Sequence, residues 1–372
     1  MYRWALDLLA CPLTGSPLRL EDAVEDRGRI VGGVLVSQGG VRYPIVEGIP
    51  RFLVDFRDRA ERDTVLVSQG GVRYPIVEGI PRFLVDFRDR AERDTVEAFG
   101  TEWTIFAEHD DFFTSPELFR EFVPGLPEGA FEGRVVLDAG CGAGRWTQHL
   151  IRLGAGRVMA LDFSRAVEVC ARKTAAAPNV VVVQGSLLAP PVRAGSVDVV
   201  ISIGVIHHLA DPAAGLAALG RLLGPAGRLA FWVYGREGNE LYLAVAGPIR
   251  RLTPRIPPRF LLGASRVLAL PLFGYVRTVN RWVPLRPDGS PRLPMQAYLR
   301  LLARLSFRDL TSVVYDQLSP ALARYYRREE VVSLVAAAGL ELLDLRPRTH
   351  NSWCVLARPA SAGAAAPGPG RG

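Results

Sequence analysis

The chain has 372 residues, 49% of them hydrophobic, with a formal net charge of +7. That length and composition support one large domain with a sizeable core plus a smaller one. Four cysteines without paired spacing argue against a disulfide framework, and the N-terminal residues lack a signal-peptide pattern. Arg, Pro and Gly interrupt every apolar stretch before the ~18 residues that a membrane-spanning helix needs, which favours a cytoplasmic protein.

The first notable feature in chain order is an exact repeat. Residues 34–64, VLVSQGGVRYPIVEGIPRFLVDFRDRAERDT, recur unchanged as residues 65–95. Solenoid repeats diverge and need at least three copies, so two identical copies indicate a tandem duplication or a gene-assembly error. In each copy VRYPIV and RFLV predict strands around a GIP turn, and DFRDRAERDTV predicts a helix.

Residues 8–20 read as a strand, a turn and a strand, so residues 1–96 are predicted to form a small β-rich module. The first copy of the repeat is expected to pair with residues 8–33. The second copy would then be a surplus strand pair plus a helix that runs into the next domain.

From Phe131 onwards, apolar strands alternate with helices. Five strands with three helices between them are followed, near the C-terminus, by a helix and two closing strands. This alternation predicts a mostly parallel sheet of seven strands covered by helices on both faces. The predicted domain spans residues 97–358, with a helical insertion at about 240–310, and the low-complexity tail 359–372 is expected to be disordered.

The sharpest motif is VVLDAGCGAGRW, residues 135–146. Gly140, Gly142 and Gly144 allow a sharp turn and a close approach of the backbone to a ligand. The helix that starts near Gly144 directs free N–H groups at that point, which suits a carboxylate, and Asp138 could bind an ammonium group.

A second acid, Asp162, ends the next strand in MALDFS. An acid at that position accepts hydrogen bonds from two ribose hydroxyls, and Phe163 beside it could lie on an adenine face. The alternative is a plain glycine-rich turn with a helix cap, which the correctly placed acid disfavours.

These motifs carry a family resemblance. VLDAGCGAGRW, ALDFS, VISIGVIHHL and LLGPAGRLAFWVY, in that order, resemble the class I S-adenosylmethionine-dependent methyltransferases, which have a Rossmann-like fold. The small-molecule branch that includes the ubiquinone/menaquinone-biosynthesis enzymes is the most similar, and FGTEW at 99–103 resembles its lead-in helix. The resemblance implies S-adenosylmethionine as cofactor. The cofactor-binding residues that it and the motifs predict are Asp138, Gly140, Gly142, Gly144, Asp162, Phe163, Ser186, Leu187, Ser202 and Ile203.

One position departs from the family pattern. Where the family usually has an acid after the third strand to bind the adenine amino group, this chain has Ser186. A hydroxyl accepts a hydrogen bond more weakly than a carboxylate, so cofactor binding is expected to be retained but looser.

Candidates for proton removal follow the fourth strand. His207 and His208 lie just beyond Ile203, near the strand end where ligands gather, and a histidine can act as a general base near neutral pH. The alternative is that one histidine caps the next helix and the other packs on the sheet. Asp316 and His350 are further candidates for removing the substrate proton.

The predicted insertion is rich in arginine, with twelve Arg and one acid between Ile249 and Arg308. Its apolar segment FLLGASRVLALPLFGYV is interpreted as a lid over an apolar substrate, as an interfacial helix at an anionic membrane, or as ordinary packing with solvated arginines. Peripheral membrane contact is therefore one predicted partner interaction.

The N-terminal module resembles a small zinc-binding domain that activates tRNA and protein methyltransferases. Only Cys11 of the family's cysteines is present, because Thr14 occupies the second position, and one thiolate cannot form a tetrahedral zinc site. No metal is predicted.

The predicted function is methyl transfer from S-adenosylmethionine to a small, apolar or ring-bearing acceptor at O, N or C. The alternatives are a tRNA or protein methyltransferase and a cofactor-binding scaffold without turnover. The segment IGVIHHL stands where N-methylating relatives of amides and bases carry an Asn-Pro-Pro-Tyr-type tetrad, which argues against nucleic acid as a partner.

Overall fold

The computed structural model describes residues 1–52, 65–67, 73–77, 80–81, 90–106, 115–250, 252–253, 256–287 and 291–360. The strands are β1 Leu18–Asp26, β2 Arg29–Ser37, β3 Arg42–Val46, β4 Ile49–Pro50, β5 Val65–Val67, β6 Arg73–Val77, β7 Ile80–Pro81, β8 Val135–Ala139, β9 Arg157–Asp162, β10 Val180–Gln184, β11 Val197–Ile203, β12 Leu223–Tyr234, β13 Leu340–Arg348 and β14 Ser352–Pro359. The α-helices are α1 Arg90–Ile105, α2 Pro116–Phe122, α3 Arg145–Arg152, α4 Ala166–Lys173, α5 Pro212–Leu222, α6 Glu240–Arg250, α7 Pro258–Arg277, α8 Val279–Trp282, α9 Gln296–Leu302, α10 Phe307–Leu318 and α11 Arg328–Ala337.

The main sheet has seven strands in the order β10-β9-β8-β11-β12-β14-β13. The first five are mutually parallel, and β14 runs antiparallel to both β12 and β13. The chain enters this sheet at β8, adds β9 and β10 on one side, and then adds β11 and β12 on the other side. The predicted seven-stranded, mostly parallel sheet is therefore confirmed. The carboxyl ends of the adjacent strands β8 and β11 mark the point where the strand order reverses, which is where such sheets bind ligands.

Both faces of the sheet are buried, which explains why its strands read as continuous apolar runs. Leu137 and Val183 point into the core shared with α5, α11 and the N-terminal residues. Their neighbours Val136 and Val182 point into the opposite core, shared with α2, α3 and α4. Successive strand residues thus serve different layers.

The first copy of the repeat completes the N-terminal sheet. Its strand β3 pairs antiparallel with β2, and β4 pairs with β3. The sheet then joins the main one, because Arg51 forms a parallel bridge to Gln184 and the Phe52 amide donates to the Gln184 carbonyl over 2.7 Å. Leu9 bridges Val192 on the same side. The module therefore covers the edge strand β10, which would otherwise expose unpaired backbone groups.

Some local predictions in this region differ from the structure. Strand β4 lies inside the predicted GIP turn, and the predicted strand RFLV begins with the single bridge at Arg51. The second copy forms a separate sheet, β5-β6-β7, before α1 begins at Arg90. The helix predicted for the first copy and the tail from residue 361 lie outside the described residues.

The predicted insertion forms a helical cap that runs past residue 310 to the end of α10. Helix α7 is apolar and long enough to cross a membrane by length and composition, which the sequence analysis did not predict. It packs along α10, with Leu261 against Tyr315 at one end and Val276 against Leu310 at the other.

Candidate functional site

The turn between β8 and α3 requires glycine at its first position. Gly140 has a φ of +87°, and a Cβ there would lie 2.2 Å from a Val205 methyl. Its amide donates to the Leu161 carbonyl over 2.7 Å, which holds the turn against β9. At the other end of the turn, Gly144 is the left-handed N-cap of α3, as the motif predicted.

Asp162 ties the end of β9 to this turn. Its Oδ2 accepts from the Gly142 amide at 2.9 Å, and its Oδ1 accepts from the amide and hydroxyl of Ser164 at 2.8 and 2.7 Å. Burial raises the pKa of Asp162, and these hydrogen bonds oppose that rise. The carboxylate is thus fixed in orientation at the edge of a cavity.

Asp138 is completely buried beneath the turn. Its Oδ2 accepts from the Thr147 hydroxyl at 2.6 Å, while its Oδ1 has no partner among the described residues. Burial raises the pKa of this carboxyl to about 7, and the nearby Asp162 charge adds to the rise. An unsatisfied buried carboxyl oxygen beneath a glycine turn is costly unless a ligand or water supplies a donor.

One cavity of about 320 Å³ joins the glycine turn to the cap. The predicted site residues that line it are Gly140, Gly142, Asp162, Phe163, Ser186, Leu187, Ile203, His208 and Asp316. The predicted residues outside its lining are Asp138, Gly144, Ser202 and His207. The Ser202 hydroxyl, for example, donates to the Ala139 carbonyl at 2.8 Å, so it joins β11 to β8 below the cavity.

Ser186 lines the cavity at the position where the family usually has an acid. Its hydroxyl oxygen accepts from the Leu188 amide at 3.1 Å. That bond occupies part of the acceptor capacity that an adenine amino group would use.

The two adjacent histidines have different surroundings. His208 faces the cavity, and its Nδ1 donates to the Leu322 carbonyl at 2.5 Å, which leaves Nε2 as the unprotonated nitrogen. Burial lowers the pKa of His208 to about 4, so the ring is neutral at neutral pH. His207 is fully buried, its ring lies 3.9 Å from the Tyr234 ring at a tilt of 35°, and neither of its nitrogens has a partner among the described residues.

Neither histidine caps α5, so the alternative in which one of them caps the helix after the fourth strand is wrong in this respect. The cap is Asp211, whose side chain accepts from the Ala214 amide at 3.0 Å, with Pro212 at the first helical position. His350 is exposed in the turn between β13 and β14 and does not line the cavity.

The cap contributes a connected polar network to the cavity wall. The Tyr234 hydroxyl donates to Asp316 Oδ2 at 3.2 Å, and the Gln317 amide donates to the Tyr234 oxygen at 2.9 Å. Gln317 in turn accepts from the Tyr242 hydroxyl at 2.8 Å, and Arg250 donates to the Tyr325 hydroxyl at 3.1 Å. The sequence analysis identified Asp316 alone in this group, because the group is assembled from β12, α6, α10 and the segment before α11.

A second acid, Glu102 on α1, lines the same cavity. It is 3% exposed, and its Oε2 has no partner among the described residues. Burial raises the pKa of Glu102 well above its usual range, the Asp316 charge raises it further, and Arg145 opposes the rise. The sequence signal for this residue was FGTEW, which was interpreted as a lead-in helix and not as part of a site.

The residues around the glycine turn fit S-adenosylmethionine. Asp162 presents a fixed carboxylate to the cavity next to Phe163, and Asp138 has an unsatisfied carboxyl oxygen beneath the turn. The side chain of Trp103 lies against Gly142, at 3.1 Å from where a Cβ would be. A nucleoside and an amino-acid group could therefore bind along this turn with charge-assisted hydrogen bonds.

Comparison with known proteins agrees with this arrangement. Residues 137–231 match the family model described as a methyltransferase domain, which covers β8 to β12. This segment is a methyltransferase domain. The predicted family and cofactor are thereby confirmed.

Several relatives can be named. The ubiquinone biosynthesis O-methyltransferase of Nitrosococcus oceani is 34% identical over 119 residues, 31% of this chain and 50% of that protein. Its counterpart in Xanthomonas axonopodis pv. citri is 35% identical over 140 residues, 36% of this chain and 57% of that protein. The chain thus spans about half the length of these curated relatives.

Among solved structures, 1,6-didemethyltoxoflavin-N1-methyltransferase of Burkholderia thailandensis, with bound 1,6-didemethyltoxoflavin and S-adenosylhomocysteine, is 17% identical with a TM-score of 0.42. The matched region spans 74% of this chain and 94% of the Burkholderia chain.

Proposed function

We propose that the protein transfers a methyl group from S-adenosylmethionine to a small, apolar or ring-bearing acceptor at O, N or C. The observation that carries this proposal is the single cavity that joins Asp162 and the glycine turn to the aromatic cap wall. The proposed setting is the cytoplasm, with the acceptor held by the cap and the cofactor by the methyltransferase domain.

The proposed cofactor contacts come from the sheet side of the cavity. Asp162 would hold the ribose hydroxyls, Phe163 and Leu187 would contact the adenine, and the glycine turn would hold the methionine part. When bound, S-adenosylmethionine supplies an already activated methyl group on a sulfonium. The protein must therefore align the acceptor, exclude water and remove a proton where the acceptor is O–H or N–H.

The acceptor is proposed to lie against the cap side of the cavity. Tyr242, Tyr298 and Leu301 line this wall, and Met295 adds an adaptable apolar side chain. Rings and alkyl groups pack well on such a surface, whereas a large polyanion would find two buried acids, Glu102 and Asp316, facing it. This composition supports a small apolar acceptor over RNA.

His208 is the proposed proton acceptor. Its Nδ1–H bond to Leu322 fixes the tautomer, so Nε2 is the nitrogen that can take a proton from a bound acceptor. Asp316, placed by Tyr234, and Glu102, whose pKa is raised by burial, would hydrogen-bond the acceptor. His207 is proposed to support Tyr234 through their ring contact, without contact to the acceptor.

The test is methyl transfer from labelled S-adenosylmethionine to cell extract separated into lipid, small-molecule and RNA fractions. A labelled product in the small-molecule or lipid fraction is expected, and Asp162→Asn should reduce it at a cofactor concentration below saturation. Label in RNA would support a nucleic-acid methyltransferase instead. Binding of the cofactor by calorimetry without any labelled product would support a scaffold.

The two histidines offer a matched comparison for the proposed base. His208→Asn is expected to reduce the rate by roughly 10²- to 10⁴-fold with little change in cofactor affinity, as loss of a general base does. His207→Asn should leave most activity in the fraction that remains folded. Equal losses in both variants would remove His208 from the role of base.

A further inference from the structure

Helix α6 carries an apolar stripe on its outward side. Leu241, Val245 and Ile249 recur at helical spacing and are all exposed, and Leu252 continues the stripe. Val245 is 62% exposed. A surface helix normally turns its apolar stripe towards the core, so this one is inverted.

Helix α7 is apolar on both sides. A narrow inner row, which includes Leu261, Ala269 and Val276, packs against the rest of the cap. The outer side includes Val267 and Leu270, which are 72% and 65% exposed. The helix therefore buries one apolar side and presents another to the surroundings.

We term the exposed apolar side chains of α6, α7, α8 and the segments between them the cap surface. Trp282 on α8 is the most exposed of them, at 82%. The cap surface consists of Leu241, Val245, Ile249, Leu252, Ile256, Phe260, Val267, Leu268, Leu270, Val279 and Trp282. Most of the large exposed apolar side chains among the described residues belong to it, and a patch of this kind marks an interaction site.

The charge of this segment has one sign. Residues 241–287 contain eight arginines and no aspartate, glutamate or lysine. The side chains of Arg259, Arg266 and Arg277 are exposed, and Arg259 and Arg277 lie over the rings of neighbouring phenylalanines. The cap surface is thus apolar and bordered by cations, which is the complement of an anionic lipid surface.

We propose that the cap surface docks on an anionic lipid bilayer. The apolar side chains would enter the boundary between headgroups and acyl chains, the arginines would pair with phosphate groups, and Trp282 would sit at headgroup level.

Helix α7 lies on the bilayer in this proposal and does not cross it. Leu261 against Tyr315 and Val276 against Leu302 hold both of its ends to the cap, so it cannot separate without exposing those side chains. Arg266, near its middle, would be costly at the centre of a bilayer.

A second copy of this chain fits the surface less well. A symmetric contact would bring the arginines of two cap surfaces together with no acid of residues 241–287 to pair them. The docking proposal rests on neither cofactor binding nor methyl transfer, so vesicle binding and activity can fail separately.

The test is co-sedimentation of the full chain with vesicles. Vesicles of phosphatidylglycerol and phosphatidylcholine in equal parts should bind the protein, and pure phosphatidylcholine vesicles should bind much less. Added salt should weaken the binding to the anionic vesicles.

Three exposed double variants separate the contributions. Arg259→Gln with Arg266→Gln should weaken binding to the anionic vesicles by roughly 10- to 30-fold. Val267→Ser with Leu270→Ser should weaken it by roughly tenfold or more. Leu13→Ser with Val24→Ser, two exposed apolar residues on the N-terminal module, should leave it unchanged. Calorimetry with S-adenosylmethionine checks that each variant is folded.

Three results would overturn the proposal. The first is no preference for the anionic vesicles, and the second is a cap variant that is folded and binds like the unaltered chain. The third is a dimer, seen by sedimentation velocity, that the same cap variants dissociate, because the surface would then belong to a second copy.

Discussion

Asp162 Oδ2 accepts a hydrogen bond from the Gly142 amide at 2.9 Å, so the acid that ends β9 and the glycine turn that follows β8 form one unit. This hydrogen bond holds the turn in place at the edge of the cavity. A change at Asp162 should affect both the proposed ribose contact and the shape of the turn.

Asp162→Asn is therefore expected to weaken S-adenosylmethionine binding by roughly 10- to 100-fold, because charge-assisted hydrogen bonds are lost and the amide has only one oxygen that can accept. Calorimetry at constant ionic strength measures this. Asp198→Asn is the control, since Asp198, at the start of β11, accepts from the Val135 amide at the opposite end of the sheet. Equal losses in the two variants would show that a general weakening of the sheet is responsible.

Gly140→Ala tests the tightness of the turn. A methyl group there would meet Val205 at 2.2 Å, in addition to the left-handed backbone strain. We expect a loss of about 2–4 kcal/mol in the free energy of unfolding, measured by urea denaturation. Gly195→Ala is the matched control, because Gly195 also has a positive φ but nothing lies within 4 Å of its Cβ position. That variant should lose only about 1–2 kcal/mol, and equal losses would contradict the steric argument.

The sequence predicted the sheet and the sheet side of the cavity well, since short-range patterns determine both. The strand Val135–Ala139, the glycine turn and Asp162 lie in one local unit whose geometry follows from a few residue types. The cap side depended on contacts between distant elements. Tyr234, Gln317 and Tyr325 meet only because β12, α10 and the segment before α11 converge, and no local pattern records that. Glu102 was missed for the same reason, because its burial results from tertiary packing.

His208 should make stability depend on pH. Burial lowers the pKa of His208 to about 4, so the neutral ring stabilises the fold above its unfolded pKa of about 6.5. That contribution is lost as the pH falls towards 4, and it should cost about 2–3 kcal/mol between about pH 7 and about pH 4.5. His208→Asn, compared with the unaltered chain by urea denaturation, should show a correspondingly shallower loss. Superimposable pH profiles would mean that folding leaves the pKa of His208 unchanged.

Glu102 should have the opposite dependence. Burial and the Asp316 charge raise its pKa, so its contribution to stability is present below about pH 4.5 and is lost as the pH rises through the raised value. Glu102→Gln keeps the shape and removes the charge, so its stability relative to the unaltered chain should grow with pH, on the order of 1–3 kcal/mol. Glu97→Gln, an exposed position on the same helix, is the control and should show no such trend. A flat difference for Glu102→Gln would indicate that Glu102 is ionised at neutral pH.

Removal of residues 34–64 tests whether the duplicated unit is needed. The shortened chain keeps one complete copy, whose tyrosine and phenylalanine would take the places of the buried Tyr43 and Phe52. Helix α4 contacts both β4 and α1, so these two elements lie near each other. In the shortened chain, the single copy therefore has only a short distance to span between the edge of the sheet and the start of α1. We expect the affinity for S-adenosylmethionine to change by less than about threefold, within the range of context effects on a distant site. A large loss of affinity would mean that β5–β7 support the site, whereas retained affinity with lower thermal stability would confine their role to packing.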